Sequence, residues 1–220
     1  MVQSSWSLYS LLFILIALGW GYYLYERRQA SAREVALVAT LAALAGLSRV
    51  PFAAMPAVQP TTFLVLVSGY VFGPGPGFMV GSLAAFVSNF FLGHGPWTPW
   101  QMAAWGVTGI FGGLLGLKKG PFPKAAMTVT GFCWGFLFGW FLNTWHWLAF
   151  VYPLTFRSFI IVQAASLWSD GMHAVGNAIL VLVAGNELVR ILNRFKRRLT
   201  INYLAPKEGE PGLTYKEERA

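Results

Sequence analysis

The chain has 220 residues, of which 56% are hydrophobic and 11% are charged, and its mean hydropathy is +0.55. Soluble domains carry about 25% charged residues, so this composition excludes a water-soluble globular protein and predicts a chain that lies mostly within a membrane. At about 20 apolar residues for each crossing, the length leaves room for six or seven membrane helices and for no separate soluble domain. We therefore expect an all-α integral membrane protein.

Glycine, proline and charged residues divide the chain into seven apolar runs, each of which predicts a membrane helix. No positive charge precedes the first run and no small-x-small cleavage site follows it, so it is predicted to be a retained helix and not a signal peptide. The segment 73–77, Gly-Pro-Gly-Pro-Gly, is predicted to be a non-helical reversal between the third and fourth runs. The runs cover about residues 6–25, 34–50, 62–72, 78–92, 100–117, 125–143 and 156–191.

The basic residues predict how the chain is oriented, because lysine and arginine collect on the cytoplasmic side of membrane proteins. With seven spans and the N-terminus outside, Arg49 and Arg157 are the two of 16 basic residues that lie outside, which leaves fourteen inside. The net charge of +8 therefore indicates topology and not a nucleic-acid surface, which would cluster basic residues with aromatic ones. The charged segment 196–220, which includes Pro206 and Pro211, is predicted to be a disordered cytoplasmic tail.

The ends of the runs that are predicted to lie outside are rich in tryptophan, histidine and proline. Tryptophans at the membrane interface are common and account for part of this enrichment. Restricted loops with large apolar side chains also suit a lid over an outward-facing pocket, because they supply contact area and lose little entropy. These residues are Trp97, Trp100, Trp145, Trp147, Tyr152, His94 and His146, together with the proline-rich loop 51–60.

The seventh run carries polar and ionisable residues at helical spacing. Asp170, His173 and Asn177 share one face of a helix, which must point into the bundle because ionisable groups are costly in lipid. Two interpretations stay open: the stripe binds a ligand, or Asp170 and His173 satisfy each other while Asn177 bonds a neighbouring helix. No metal site is predicted, because a third ligand is needed and His94 and His146 are expected in outside loops. Further polar candidates are Gln59, Asn89, Gln101, Asn143 and Gln163.

Small residues recur at a spacing of four in the second run. Such a spacing gives a helix a flat face against which another helix can pack. Packing within the chain is the ordinary explanation, and docking to another subunit is the more specific one. The pairs are Ala32 and Ala36, Ala39 and Ala43, and Ala42 and Gly46.

The sequence contains no recognisable catalytic set. No nucleophile elbow, HExxH motif or P-loop occurs, and Asp170 is the only acid predicted in the middle of a span. The single cysteine, Cys133, lies in an apolar run and is interpreted as a small core residue. We therefore predict that the chain is not an enzyme, has no ATPase activity of its own and needs no cofactor.

Residues 33–190 resemble the substrate-binding S components of energy-coupling factor (ECF) vitamin importers. The resemblance rests on the alanine ladder after Arg33, the reversal at 73–77 and the loop 95–102, Gly-Pro-Trp-Thr-Pro-Trp-Gln-Met, together with the stretch from Asp170 to Asn177. That loop and that stretch look most like S components linked to cobalamin or its precursors.

The resemblance implies a six-helix substrate-binding domain over 31–195, preceded by an additional N-terminal transmembrane helix over 1–30. Such a subunit of a bacterial or archaeal plasma membrane captures a vitamin, here matched best by cobalamin or a corrinoid precursor. It delivers the vitamin through a transmembrane coupling protein and two cytoplasmic ATPases. The implied docking surface is Ala32, Ala36, Ala39 and Ala43, and the implied substrate-binding residues are Gln59, Thr61, His94, Trp97, Thr98, Trp100, Gln101, Asn143, His146, Asp170, His173 and Asn177.

Two other functions fit parts of the sequence. A stand-alone carrier coupled to protons through Asp170 and His173 would need no partner subunits. A membrane-embedded enzyme would need a reactive group that the sequence does not offer.

Overall fold

The computed structural model describes residues 2–55, 58–118 and 120–199, and every regular element within them is an α-helix. The predicted all-α fold is therefore confirmed. The helices in these ranges are α1 (Val2–Glu26), α2 (Ala32–Leu47), α3 (Pro60–Phe72), α4 (Pro74–Leu92), α5 (Thr98–Gly116), α6 (Lys124–Phe150), α7 (Phe156–Ala165) and α8 (Leu167–Leu199).

Helices begin where the sequence supplies a cap or a proline. The Ser31 hydroxyl accepts a hydrogen bond from the Glu34 backbone N–H at 3.2 Å and so caps α2. Prolines occupy the first turns of α3, α4 and α5, where a missing backbone N–H costs nothing. For that reason the prediction of a fully non-helical 73–77 segment is wrong: the reversal is confined to Gly73, at φ +98°, and α4 begins at Pro74.

The predicted seventh helix is two helices in the structure. Thr155 and Ser158 cap the start of α7 reciprocally, each side chain accepting the other's backbone N–H, at 3.1 and 3.0 Å. The interruption falls at Ser166, whose backbone N–H bonds the Gln163 carbonyl oxygen three residues earlier, at 3.4 Å, instead of a carbonyl four residues earlier as in a regular α-helix. α8 then continues to Leu199, so the prediction of a disordered tail is wrong for its first four residues, 196–199, and the rest of the predicted 196–220 tail lies outside the described residues.

Helices α1 to α6 alternate in direction, and α7 and α8 both run antiparallel to α6, so the bundle has two distinct ends. We call one the basic end, because the charged connections α1–α2 and α5–α6 and the end of α8 lie there. We call the other the tryptophan end, because the α4–α5 connection meets the end of α6 there through Trp97 and Trp145, with ring centroids 6.0 Å apart. Basic residues at the basic end are Arg27, Arg28, Arg33, Lys118, Lys124, Arg190, Arg194 and Lys196.

Helices α3, α4 and α5 pack backbone to backbone. A Cβ atom on Gly109 of α5 would collide with the Gly77 carbonyl of α4, and a Cβ atom on Gly69 of α3 would collide with the Gly109 carbonyl. Contacts this close are possible because these residues carry no side chain. The approach places α3 at the centre of the bundle, with nine of its 13 residues buried.

Four of the described helices, α1, α4, α6 and α8, are long and apolar enough to cross a membrane. At 1.5 Å per residue, α3 is about 20 Å long, shorter than a hydrocarbon core of about 30 Å. Helices α2, α4, α5 and α8 pack around α3 and cover most of its surface. α1 lies at the periphery against α4, α5 and α6 and exposes much of its apolar surface.

Candidate functional site

A buried arginine lies near the tryptophan end of the bundle. Arg49 follows the last turn of α2 and is 8% exposed. Its Nη1 donates to Ser88 Oγ at 2.7 Å and to Asn89 Oδ1 at 3.3 Å, so it joins α2 to α4. The two helices can come this close because Gly46 has no side chain: a Cβ atom there would lie 2.9 Å from the Ala84 carbonyl oxygen.

The arginine also stacks on a tryptophan that continues the polar network. The Arg49 guanidinium lies 4.7 Å from the centroid of the Trp105 ring, a distance suited to cation–π attraction. Trp105 Nε1 donates to Thr62 Oγ1 at 2.9 Å, and the same hydroxyl shares a 2.8 Å hydrogen bond with His173 Nε2. Side chains from α3, α5 and α8 therefore meet beneath the arginine.

A second arm of the network holds the start of α5. Asn89 Nδ2 donates to Thr98 Oγ1 at 3.0 Å and to Gln101 Oε1 at 2.8 Å. The Gly95 backbone N–H also donates to Thr98 Oγ1, at 3.2 Å. Asn89 thus connects Arg49 to the first turn of α5 and to the α4–α5 connection, and it brings two residues of the predicted substrate-binding set together.

The predicted polar stripe of α8 is buried on one face, but its members have separate partners. Asp170 accepts a 2.6 Å hydrogen bond from Ser166 Oγ, and His173 bonds Thr62. Asn177 Nδ2 donates to the Gly131 carbonyl oxygen at 3.1 Å, the neighbouring-helix contact that one interpretation predicted. The direct pairing of Asp170 with His173 that the same interpretation required is not among these contacts.

A smaller cluster ties α6 to α7 and α8. Asn143 Nδ2 donates to Gln163 Oε1 at 3.1 Å and to Ser166 Oγ at 2.6 Å. Because Ser166 also donates to Asp170, the cluster links Asn143 with the top of the polar stripe. Further along α6, a Cβ atom on Gly139 would strike the Asp170 carboxylate, so this pair of helices is packed closely around the acid.

Several buried polar atoms of the predicted substrate-binding set have no hydrogen-bond partner among the described residues. They are Gln59 Oε1, Trp100 Nε1 and Asn177 Oδ1, and Arg49 Nε shares this property. Buried polar groups are normally paired, so such atoms call for an explanation, and a ligand or bound water is one. Thr61, by contrast, is satisfied, since its hydroxyl donates to the Ala45 carbonyl oxygen at 2.7 Å.

The two predicted histidines of the tryptophan end do not join the buried network. His94 is exposed and packs its ring against Phe90, with centroids 4.8 Å apart. His146 is exposed and lies on α6, not in a loop as predicted, because α6 continues to Phe150. Among the described residues, no group of three His, Cys, Asp or Glu side chains is placed to hold a metal ion.

A cavity of about 480 Å³ opens at the tryptophan end between α1, the α4–α5 connection and the end of α6. Pro96 and Trp145 line it, together with Leu8 of α1. Trp97, which pairs with Trp145, stands beside this cavity, so the residues predicted to form a lid lie next to an opening.

Four residues of the network are not in the set of site residues predicted from the sequence: Arg49, Thr62, Ser88 and Trp105. The signal that could have revealed Arg49 was its position, since it is one of two basic residues on the side predicted to lie outside. No sequence signal distinguished Thr62 or Ser88 from other hydroxyl residues in apolar runs, because their roles depend on neighbours from other helices.

Helix α2 presents two different small-residue faces. Ala42 and Gly46 are buried against the rest of the bundle, as expected for packing within the chain. The other ladder faces away from the bundle: Ala32, Ala36 and Ala39 are exposed and Ala43 is half-buried. The second face therefore remains mostly exposed within the described part of the protein.

Replacing Thr62 by valine tests the centre of the network. The change leaves both Trp105 Nε1 and His173 Nε2 without their buried partner, and we expect a loss of about 2 kcal/mol in the free energy of unfolding. Thr144→Val is the matched control, because that hydroxyl bonds the Trp140 carbonyl on the surface of its own helix and should matter by less than about 0.5 kcal/mol. Denaturant unfolding in detergent would measure both, and equal effects would contradict the assigned network.

Comparison with known proteins gives a family match over most of the chain. Residues 29–194 match the family model described as ECF-type riboflavin transporter, S component. The UPF0397 protein of Vibrio atlanticus (strain LGP32) is 27% identical over 192 residues, which cover 77% of this chain and 97% of that protein. The UPF0397 protein of Aliivibrio salmonicida (strain LFI1238) is 27% identical over 189 residues, covering 77% and 95%. No solved structure matches the chain significantly.

Proposed function

This chain belongs to the family of ECF-type riboflavin transporter S components, and we propose that it captures a vitamin at the outer face of the cell membrane and delivers it to partner subunits. Family membership is the main support for this proposal. The buried polar network at one end of an otherwise apolar bundle supports it, because a membrane helix keeps such groups only where they serve packing or binding.

The proposed orientation has the tryptophan end outside, the N-terminus outside and the C-terminus in the cytoplasm. The support is electrostatic, since the charged connections and the end of α8 fall at the basic end. In this orientation the network around Arg49 and the cavity beside Trp145 lie in the outer half of the protein. The network is then on the side from which an importer receives its ligand.

The proposed ligand-binding surface combines the network with the partly buried aromatic side chains above it. Trp100 packs on Phe141, with ring centroids 5.1 Å apart, and offers a buried Nε1 without a partner. Asn89 holds Gln101 and Thr98 in the first turn of α5. The α4–α5 connection, with Trp97 against Trp145, is the proposed lid.

Delivery is proposed to pass through a transmembrane coupling protein and two cytoplasmic ATPases, with no ATPase activity in this chain. The exposed alanine face of α2 supplies the proposed docking surface, because small residues allow another helix to approach closely. The domain assignment follows from the same proposal. We propose residues 31–195 as the substrate-binding domain, 1–30 as an additional peripheral helix, and 196–220, which begins in the last turn of α8, as a cytoplasmic tail.

Cobalamin or a corrinoid precursor is the proposed ligand, on the strength of the sequence resemblance in 95–102 and 170–177. Riboflavin, which the family description names, is the second candidate. We expect native mass spectrometry of the gently purified protein to reveal a bound corrinoid, and quenching of tryptophan fluorescence to report binding of added cyanocobalamin. Binding of riboflavin without cyanocobalamin would overturn the corrinoid assignment and leave vitamin capture in place.

A single substitution in the proposed site tests its location. Trp100→Phe removes the Nε1 donor and keeps a six-membered aromatic ring, so we expect about tenfold weaker binding of whichever vitamin the titration identifies. Trp20→Phe on α1 is the matched control, because Trp20 is 62% exposed and remote from the network. Equal affinity in the two variants would place the ligand elsewhere.

A transport assay distinguishes the capture subunit from a stand-alone proton-coupled carrier. Reconstituted alone in liposomes, a carrier would transport its ligand, and Asp170→Asn would stop it. A capture subunit is expected to bind its ligand and to transport it only with the partner subunits.

A further inference from the structure

Arg49 is a buried cation without a carboxylate partner. It is 8% exposed, and no Asp or Glu of the described residues lies within 4 Å of its guanidinium. Its hydrogen bonds go to the neutral oxygens of Ser88 and Asn89, and its Nε is buried without a partner. Buried charges in proteins are normally paired, so the positive charge in this place has only partial compensation.

The surroundings of Arg49 would favour an anion over a neutral group. Hydrogen bonds connect Arg49 through Asn89 to Thr98, in the first turn of α5. The N-terminus of a helix bears partial positive charge, so the 19-residue α5 adds to the same field. The Trp105 ring covers one face of the guanidinium and leaves its edge as the donor surface.

We propose that Arg49 receives an anionic oxygen group of the ligand, a phosphate ester or a carboxylate. This inference rests on the proposed function and narrows it to vitamins or vitamin precursors that carry such a group. A planar guanidinium matches the oxygens of phosphate and carboxylate, and Nε is the donor still free to bond. A corrinoid with its nucleotide phosphate satisfies this requirement, and riboflavin satisfies it only as its phosphate ester.

The test uses inorganic phosphate as the probe, on protein in detergent free of phospholipid. Phosphate should raise the midpoint of thermal unfolding of the full chain in a concentration-dependent manner, relative to chloride at equal ionic strength, because it binds the folded state. Arg49→Gln should abolish this rise, and Arg49→Lys, which keeps the charge, should retain part of it. The inference is overturned if the unchanged protein shows no phosphate-specific rise or if Arg49→Gln responds equally.

Arg157→Gln is the matched control for a general loss of charge. Arg157 is exposed on α7 at the same end of the bundle, so this variant should respond to phosphate as the unchanged protein does. Loss of the response in both variants would overturn the assignment to Arg49. Far-ultraviolet circular dichroism would establish whether Arg49→Gln still folds. If it does not, the phosphate-dependent rise in the unfolding midpoint is compared between Arg49→Lys and the unchanged protein.

Two further measurements separate the inference from its premise and from a lipid ligand. Cyanocobalamin and cobinamide differ by the nucleotide loop that carries the phosphate, and flavin mononucleotide and riboflavin differ by one phosphate. For whichever pair the protein binds, we expect fluorescence titration to show about tenfold tighter binding of the member with the phosphate, a preference lost in Arg49→Gln. If the midpoint of thermal unfolding depends on phosphatidylglycerol in nanodiscs and not on soluble phosphate, Arg49 binds a lipid headgroup and the inference is overturned. Failure of assembly with the coupling subunits would instead contradict the proposed function while leaving the phosphate response unchanged.

Discussion

Gly109→Ala is expected to destabilise the bundle by about 3 kcal/mol or more. The new Cβ atom would occupy the space of the Gly77 carbonyl group, and Gly69 contacts Gly109 from the other side. Backbone atoms cannot move aside as a flexible side chain can, so α5 would have to separate from α3 and α4. Unfolding in detergent, followed by tryptophan fluorescence and by size-exclusion elution, would measure the loss.

Gly19→Ala is the control for this substitution. A Cβ atom on Gly19 of α1 would meet no atom within 4 Å, and alanine is the better helix former, so stability should stay the same or rise by up to about 1 kcal/mol. A mild effect of Gly109→Ala, comparable with that of Gly19→Ala, would contradict the close approach of the three central helices.

Ala39→Trp is expected to abolish assembly with the coupling subunits and to leave ligand binding unchanged. Ala39 is exposed on the face of α2 that points away from the bundle, so a tryptophan there fits the isolated protein. Against another helix, the same side chain would hold the two backbones apart and remove the close packing that small residues allow. Co-purification with the coupling protein and the ATPases would measure assembly, and fluorescence titration would measure ligand binding.

The exposed Ala126 supplies the matched control for the docking face. It lies near the start of α6, at the same end of the bundle as the first alanines of α2, and Ala126→Trp makes the same chemical change on another helix. We expect it to assemble normally. Retained assembly of Ala39→Trp would place the docking surface on a different helix, and lost ligand binding would show that α2 also shapes the binding site.

The size of these two effects follows from where the small residues sit. In the α3–α4–α5 contact, glycine is required because backbone meets backbone inside the chain. On the outer face of α2, alanine is tolerated by the isolated subunit and becomes a requirement only if a partner helix lies against it. Stability of the monomer therefore tests the first contact, and assembly tests the second.

Part of the candidate site could be predicted from the sequence. Asp170, His173 and Asn177 were identified because their spacing puts them on one helix face and because lipid rejects such groups. Thr98 and Gln101 were identified through the unusual loop 95–102. The histidines of the tryptophan end were chosen for their chemistry alone, and both are exposed in the structure.

The hydrogen-bond partners could not be predicted in the same way. Thr62 lies 111 positions before His173, and Trp105 lies 43 positions after Thr62, so no local pattern connects them. The sequence shows the charge of Arg49 and predicts its side of the membrane. Its burial depends on the close approach of α4 at Gly46, which the sequence does not show. Such contacts between distant segments arise only when the helices pack.

The sequence by itself determined that this protein lies in a membrane and that it is helical. These properties follow from hydrophobic composition and from the requirement that backbone groups in lipid bond within their own helix, and both act locally along the chain. The tertiary structure decided which helices touch, which alanine face of α2 stays exposed, and which oxygens surround Arg49. Those features depend on interhelical distances set by single glycines, and one-dimensional patterns carry no measure of such distances.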